Sequence, residues 1–298
     1  DWINFINSFQ VNESNFPKNS FIDQSFLKAY SKLPIKQELK FLAKSFLNST
    51  KIKNFDNKST QLRKSINAET KQAISSLYQI GNKTSSKVFI DYKTSNELEN
   101  YLKNLDWSKP WTSGAQFSSI CVYNETQNLN FSGDLISFIK KIANSETGSY
   151  YTSTPDSSRE VINGAMKVIS GLDWINEEIH FPKKLIDYCL KNVPIMEGCD
   201  IVDFVYVLYM CSKQTDFKKK EINEVLKNLL DDLLHLYNYN DNAFSYYKGK
   251  SQTHYYGVEI SNGKNCADIQ STTLCVWAII MILINNELVT EKYKLIKP

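Results

Sequence analysis

The chain has 298 residues, 42% hydrophobic and 22% charged, with a formal charge of +3 and six cysteines. These are globular values, with length for one large repetitive domain or two ordinary ones. The small charge and the lack of a long basic run argue against a nucleic-acid partner. No stretch reaches the ~18 apolar residues of a spanning helix, the nearest being 274–284.

The chain opens on Asp1 and reads as a fragment or a processed form, from which a signal peptide could have been removed without trace. The cysteines (Cys121, Cys189, Cys199, Cys211, Cys266 and Cys275) form no C-x-x-C pair and sit mostly in apolar helical patterns. A reduced, cytoplasmic chain with core thiols, no metal and no cofactor is therefore expected. Sequons at Asn48, Asn82 and Asn124 carry little weight in a chain this rich in Asn, Ser and Thr.

Helical spacing dominates from the start. Trp2, Ile3, Phe5, Ile6 and Phe9 fit one helical face, and Ser20-x-x-Asp23 reads as the next helix start. Pro34 breaks the chain before a helix through Leu39, Leu42 and Phe46. Residues 48–64 are polar and read as a loop, after which Ser65 or Asn67 starts a helix ended by Gly81. Lys87–Tyr92 is a possible short strand. Ser95 then caps a helix through Leu98 and Leu102, and Ser113-x-x-Gln116 carries a capping-box signature for the next. Gly133-Asp134 opens another helix. Ser157-x-x-Glu160 is a second capping box, before a helix that ends at Gly171. Pro182 suits a first helical position, and Asp200-x-x-Asp203 follows the turn at 194–198. The last outer helix spans Glu221–Leu236. A polar aromatic loop or insertion at 240–265 precedes Asp268, which opens the most apolar helix of the chain.

Start signals of the apolar helices fall at 20, about 67, 113, 157, 200 and 268, a period near ~45 residues of the kind made by stacked helical hairpins. The expected fold is therefore all-α: a single domain over 1–298, an (α/α)6 toroid of six hairpins with parallel inner helices. An open solenoid is the alternative. A closed ring would make a central cavity, with the positive ends of the inner helices at one mouth. Trp107, Trp111, Gln116, Tyr150, Tyr151, Asp156, Arg159, Glu197, Tyr246, Tyr247, Tyr255 and Tyr256 are expected there as substrate-binding residues.

Four residues are candidates for the chemistry. Asp200 and Asp203 share a helix face, where two close carboxyls could share a proton; equally, they read as a cap and its partner. Asp268 faces the same choice. His254, in a loop among tyrosines, is an acid/base candidate or a surface histidine. His180 reads as a loop residue and His235 as solvated. The aromatic turns could stack on sugars or shield a cation, or simply fill the repeat.

The turns Gly148-Ser-Tyr-Tyr and Ala243-Phe-Ser-Tyr-Tyr, the hairpin period, and the helix Asp268-Ile-Gln-Ser-Thr-Thr-Leu-Cys-Val-Trp-Ala together resemble the terpenoid cyclase and protein prenyltransferase toroids over residues 95–285. The acidic D-x-D-D motif of the cyclases is only echoed by Asp200-Ile-Val-Asp203. Their glutamine–tryptophan repeats are missing, and the Asp/Cys/His zinc set of the prenyltransferases finds no match. The resemblance implies an enzyme acting on an isoprenoid or other apolar substrate, with Asp200 or Asp203 as the proton source. Two other readings stay open: an α/α-toroid carbohydrate enzyme (glycosidase, lyase or epimerase) and a non-catalytic helical repeat scaffold. A small molecule or a glycan is the expected partner.

Overall fold

The computed structural model describes residues 2–49, 56–82, 84–194, 198–289 and 295–298. In chain order the first elements are α1 (Trp2–Ser8), β1 (Gln10–Val11), β2 (Ser20–Phe21), α2 (Gln24–Ser31), α3 (Ile35–Ser49) and α4 (Lys58–Gln79). Next come α5 (Ser95–Lys103), α6 (Pro110–Gln127), α7 (Ser132–Ile142), α8 (Ser158–Trp174), α9 (Pro182–Lys191), α10 (Gly198–Ser212) and α11 (Lys219–Leu234). The strands β3 (Tyr237–Asn238), β4 (Ala243–Phe244), β5 (His254–Tyr255) and β6 (Val258–Glu259) precede α12 (Ile269–Asn285). The described residues are thus mostly helical, and among them no helix is long and apolar enough to cross a membrane.

The chain divides into two compact units. Unit 1 comprises residues 1–93 and 254–260, and unit 2 comprises 94–253 and 261–298. In unit 1 the antiparallel pair β1–β2 lies on α4, where the Phe21 N–H donates to Thr70 Oγ1 at 3.0 Å. Tyr30, Leu33 and Val258 form a buried cluster with Phe26, Phe41 and Leu62 against it. The hairpin β5–β6 belongs to this unit, and Tyr255 Oη donates to Glu69 at 2.6 Å.

Unit 2 is a succession of hairpins, α5/α6, α7/α8, α9/α10 and α11/α12, with the second helix of each more deeply buried. The second helices pack in sequence order, α6 on α8, α8 on α10 and α10 on α12. The α6–α8 contact is the most extensive and is made by small residues. A methyl at Gly114 would stand 3.0 Å from the Gly164 carbonyl oxygen, and one at Gly171 would stand 3.1 Å from Cys121 Sγ. Ser118 Oγ and Ser170 Oγ bond across the same seam at 2.9 Å. Leu135, Ile139, Leu185, Ile186, Leu226 and Leu229 close the outer side with the apolar faces of α7, α9 and α11.

Several expected boundaries move. Ser20 lies in β2, and Asp23 is the actual cap of α2. Ser65 and Asn67 fall inside α4, which starts at Lys58 with Asn57 as its cap, so the loop expected at 48–64 is shorter on both sides. Thr94, not Ser95, caps α5 with Glu97 as box partner. Ser113 and Gln116 are buried inside α6, whose first residue is Pro110. Ser157 does cap α8, and Pro182 does open α9. Lys87–Tyr92 forms no strand; it is an irregular segment tied to Lys18 and Asn19. The stretch read as the loop 240–265 contains β4, β5 and β6.

The α6–α8 contact yields a test. In Gly164→Ala the added methyl would stand 2.5 Å from Pro110 Cβ, so stability in urea should fall by about 1–3 kcal/mol. Gly133→Ala on α7 meets nothing within 4 Å and should be neutral or slightly stabilising. Equal effects of the two changes would contradict the close packing.

Candidate functional site

The N-terminal turns of α6, α8 and α10 meet at one end of unit 2, and each start is held by a neighbour. Helix α6 opens with Pro110, so one orphan N–H is removed covalently, but no side chain of its own caps the rest. Glu160 on α8 supplies what is missing: its Oε1 accepts the Trp111 N–H at 3.0 Å. Ser157 Oγ in turn accepts the Glu160 N–H at 3.2 Å. Burial raises the Glu160 carboxyl, opposed by that backbone bond and by Arg159.

Arg159, Asn163 and Lys167 succeed one another along one face of α8 toward α10. Arg159 Nε donates to Asp200 at 2.9 Å, and Asn163 Nδ2 donates to the same Oδ1 at 2.8 Å. The guanidinium carbon lies 4.9 Å from the centre of the Trp111 ring, a cation–π stack. Asp200 is in the first turn of α10, where the free N–H groups of the helix favour a carboxylate.

Asp203, one turn deeper, is only 3% exposed. Lys167 Nζ is 3.8 Å from its Oδ1, and its Oδ2 has no hydrogen-bond partner among the described residues. Burial pushes this carboxyl up to about 6; Lys167 opposes the rise and Asp200 adds to it. Neighbouring Cys199 has its thiol raised by burial and by Asp203. Its backbone N–H donates to Tyr246 Oη at 3.3 Å, and its Sγ lies 3.1 Å from the same oxygen. The Tyr246 ring occupies the space a side chain at 198 would need: a Cβ on Gly198 would be 2.3 Å from Cε1, and φ there is +57°. Only glycine fits that notch without strain.

The sequence therefore named the centre of this cluster, Asp200, Asp203, Arg159, Trp111 and Tyr246. It missed Asn163, Lys167, Cys199 and Glu160. Asn163 and Lys167 are spaced four apart, and with Arg159 they form a polar stripe along one face of α8, a signal that was available.

Other candidates have structural places. Trp107 is buried, its indole N–H donating to the Leu102 carbonyl at 2.9 Å. Gln116 is buried within α6 and accepts from Tyr101 Oη at 3.4 Å. Tyr150 is fully buried against His180, 3.3 Å from its Nδ1, and Tyr151 Oη accepts from Thr147 Oγ1 at 3.1 Å. The two echoing turns share a buried serine: Ser149 Oγ donates to the Val161 carbonyl and Ser245 Oγ to the Leu236 carbonyl. Tyr247 packs edge-on to Tyr246 at 4.8 Å, and Asp156 is exposed.

Asp268 is the N-cap of α12; Oδ1 accepts from the Ser271 N–H at 2.8 Å and Oδ2 from the Gln252 N–H at 3.1 Å. That supports the capping alternative for Asp268. His254, Tyr255 and Tyr256 belong to unit 1, where Tyr255 bonds Glu69 and Tyr256 packs on Phe26. His254 is exposed. Glu197 lies outside the described residues. Among the described residues no three His, Cys, Asp or Glu side chains are grouped to hold a metal ion.

Two measurements check these assignments. Asp268→Ala should cost about 1–2 kcal/mol as a lost cap and leave binding at the α8–α10 end unchanged, by denaturation and titration. For Asp203 the folded-state value lies above its ordinary 3.8, so the folded chain holds the proton more tightly. Stability contributed by this carboxyl is full below pH 4 and is lost as pH rises toward 6 and beyond, by on the order of 3 kcal/mol. The gap between wild type and Asp203→Asn should change across that window and stay flat above pH 7; a gap constant from pH 4 to 7 would contradict the assignment. No protein-family model, curated protein or solved structure matches the chain.

Proposed function

We propose that this chain is a carbohydrate-active enzyme of the α/α-hairpin class, with Asp203 as the acid that protonates a leaving oxygen and Asp200, paired with Arg159, as its companion. In this reading the glycan binds at the end of unit 2 where the first turns of α6, α8 and α10 meet. One observation carries it: a carboxyl whose proton affinity is raised by burial, with Oδ2 unpartnered among the described residues, beside a second carboxyl engaged by Arg159 and Asn163. A carboxyl whose proton affinity is raised by burial is what acid-assisted glycosyl chemistry requires of its acid. The end is also polar and aromatic, with Trp111 and Tyr246 both partly exposed, which suits a sugar ring. Asp203 is shielded, so proton delivery in this reading needs local opening around Arg159 or Tyr246.

The isoprenoid alternative asks for a dry aromatic chamber. The α6–α8 seam is instead filled by direct glycine and serine contact. The hollow beside Tyr246 and Leu274 holds only about 170 Å³. The filled seam, together with the Lys167–Asp203 pair, favours a second reading, a non-catalytic helical repeat that binds through the same end.

The test is a panel of neutral and acidic oligosaccharides, with farnesyl diphosphate as the isoprenoid arm, followed by calorimetry and by chromatography of products. Asp203→Asn should keep glycan affinity within about threefold and lower turnover at least ~100-fold, the scale of a lost general acid. Glycan binding without turnover in wild type would favour the repeat-module reading. Turnover of farnesyl diphosphate, or unimpaired turnover in Asp203→Asn, would sink the proposal.

A further inference from the structure

Arg159 is an unusual exposed arginine. Its side chain is 57% accessible, yet it is restrained from two directions. Nε faces both oxygens of Asp200, at 2.9 and 2.8 Å, and one face of the guanidinium lies on the Trp111 indole. Each restraint is itself held: Asp200 by Asn163, and the Trp111 backbone by Glu160. The two terminal nitrogens make no hydrogen bond among the described residues. An ion pair this exposed contributes only about 0–1 kcal/mol to stability, so folding alone gives little reason for so much support. What the support does produce is a planar fork, more than half exposed, with little rotamer freedom left to lose. Such a fork suits a two-oxygen anion. Lys167 adds a second positive charge about two turns further along α8, next to Asp203. The competing carboxylate of Glu160 is engaged by the Trp111 N–H.

We infer that Arg159, stacked on Trp111 and braced by Asp200, is the subsite for an anionic group on the ligand, and that in a glycan this group is a uronate carboxylate. The inference rests on the glycan reading above and narrows it to acidic glycans. Arg159 acts here as a binding and positioning residue: anchoring the carboxylate sets which ring faces Asp203. A phosphate or diphosphate offers the same fork of oxygens, so the experiment separates the two sources.

Calorimetric titration of the full chain would use trigalacturonate, its methyl ester, inorganic phosphate and farnesyl diphosphate. The ester keeps the sugar and removes the charge. Wild type should bind the acid at least 10-fold more tightly than the ester. Arg159→Gln should lower affinity for the acid about 10- to 100-fold and leave the ester within twofold. Arg159→Lys keeps the charge without the fork, should recover only part of the loss, and shows by its circular dichroism that the fold survives. Equal affinity for acid and ester, or equal loss of both in Arg159→Gln, overturns the inference and leaves the glycan reading standing. Binding of neither sugar overturns the glycan reading and the inference with it. Tight binding of phosphate or farnesyl diphosphate, lost in Arg159→Gln while the acid is ignored, overturns the uronate assignment.

Discussion

The close approach of α6 and α8 is the constraint on which unit 2 depends. Glycine lies at the points of nearest contact, and Pro110 sits where a methyl on Gly164 would have to be. Because the seam has no slack, the two helices cannot slide without collision, and their starts stay aligned. Alignment brings the uncapped start of α6 within reach of Glu160, and it brings Trp111 under Arg159. The next contact, α8 on α10, then meets Asp200 and Asp203 with a face already carrying Arg159, Asn163 and Lys167. A packing rule thus becomes a rule about where charges meet.

The charge cluster is costly by ordinary standards. A carboxyl with one oxygen unpartnered, buried against an apolar core, weakens folding unless it is protonated or paired. Asp203 is part-way to both, with Lys167 at 3.8 Å and its proton affinity raised. Replacement by an apolar residue of similar size would be the simpler solution for stability alone. Asp200 is different: at a helix start, with two donors on one oxygen, it fits its surroundings well. The two acids are three residues apart and opposite in circumstance, and that contrast is the chemical content of the site.

Much of the fold was legible because helical periodicity is local. The apolar spacing of α7 through α12 follows from side chains that meet within one helix, and Ser157, Pro182 and Asp268 marked their helix ends correctly because caps act within one turn. Ser113 and Gln116 misled for the same reason in reverse. They satisfy the capping pattern, but Pro110 had already started the helix, and the cap came from Glu160, distant in the chain. Tyr150 and Tyr246 occupy matching places in echoing turns, yet one is sealed against His180 and the other reaches Cys199. Nothing local distinguishes them.

By itself the sequence determined the helical class, the hairpin order of the second unit and the acidic start of α10, all set by interactions spanning a few residues. The tertiary structure decided the rest. It assigned Asp268 to a cap, moved His254, Tyr255 and Tyr256 into the unit of the first 93 residues, and joined Asn163, Lys167 and Cys199 to the aspartates. Those choices depend on which helix faces meet, and the meeting is governed by the volumes of Gly114, Gly164, Gly171 and Gly198, residues that carry no chemistry of their own.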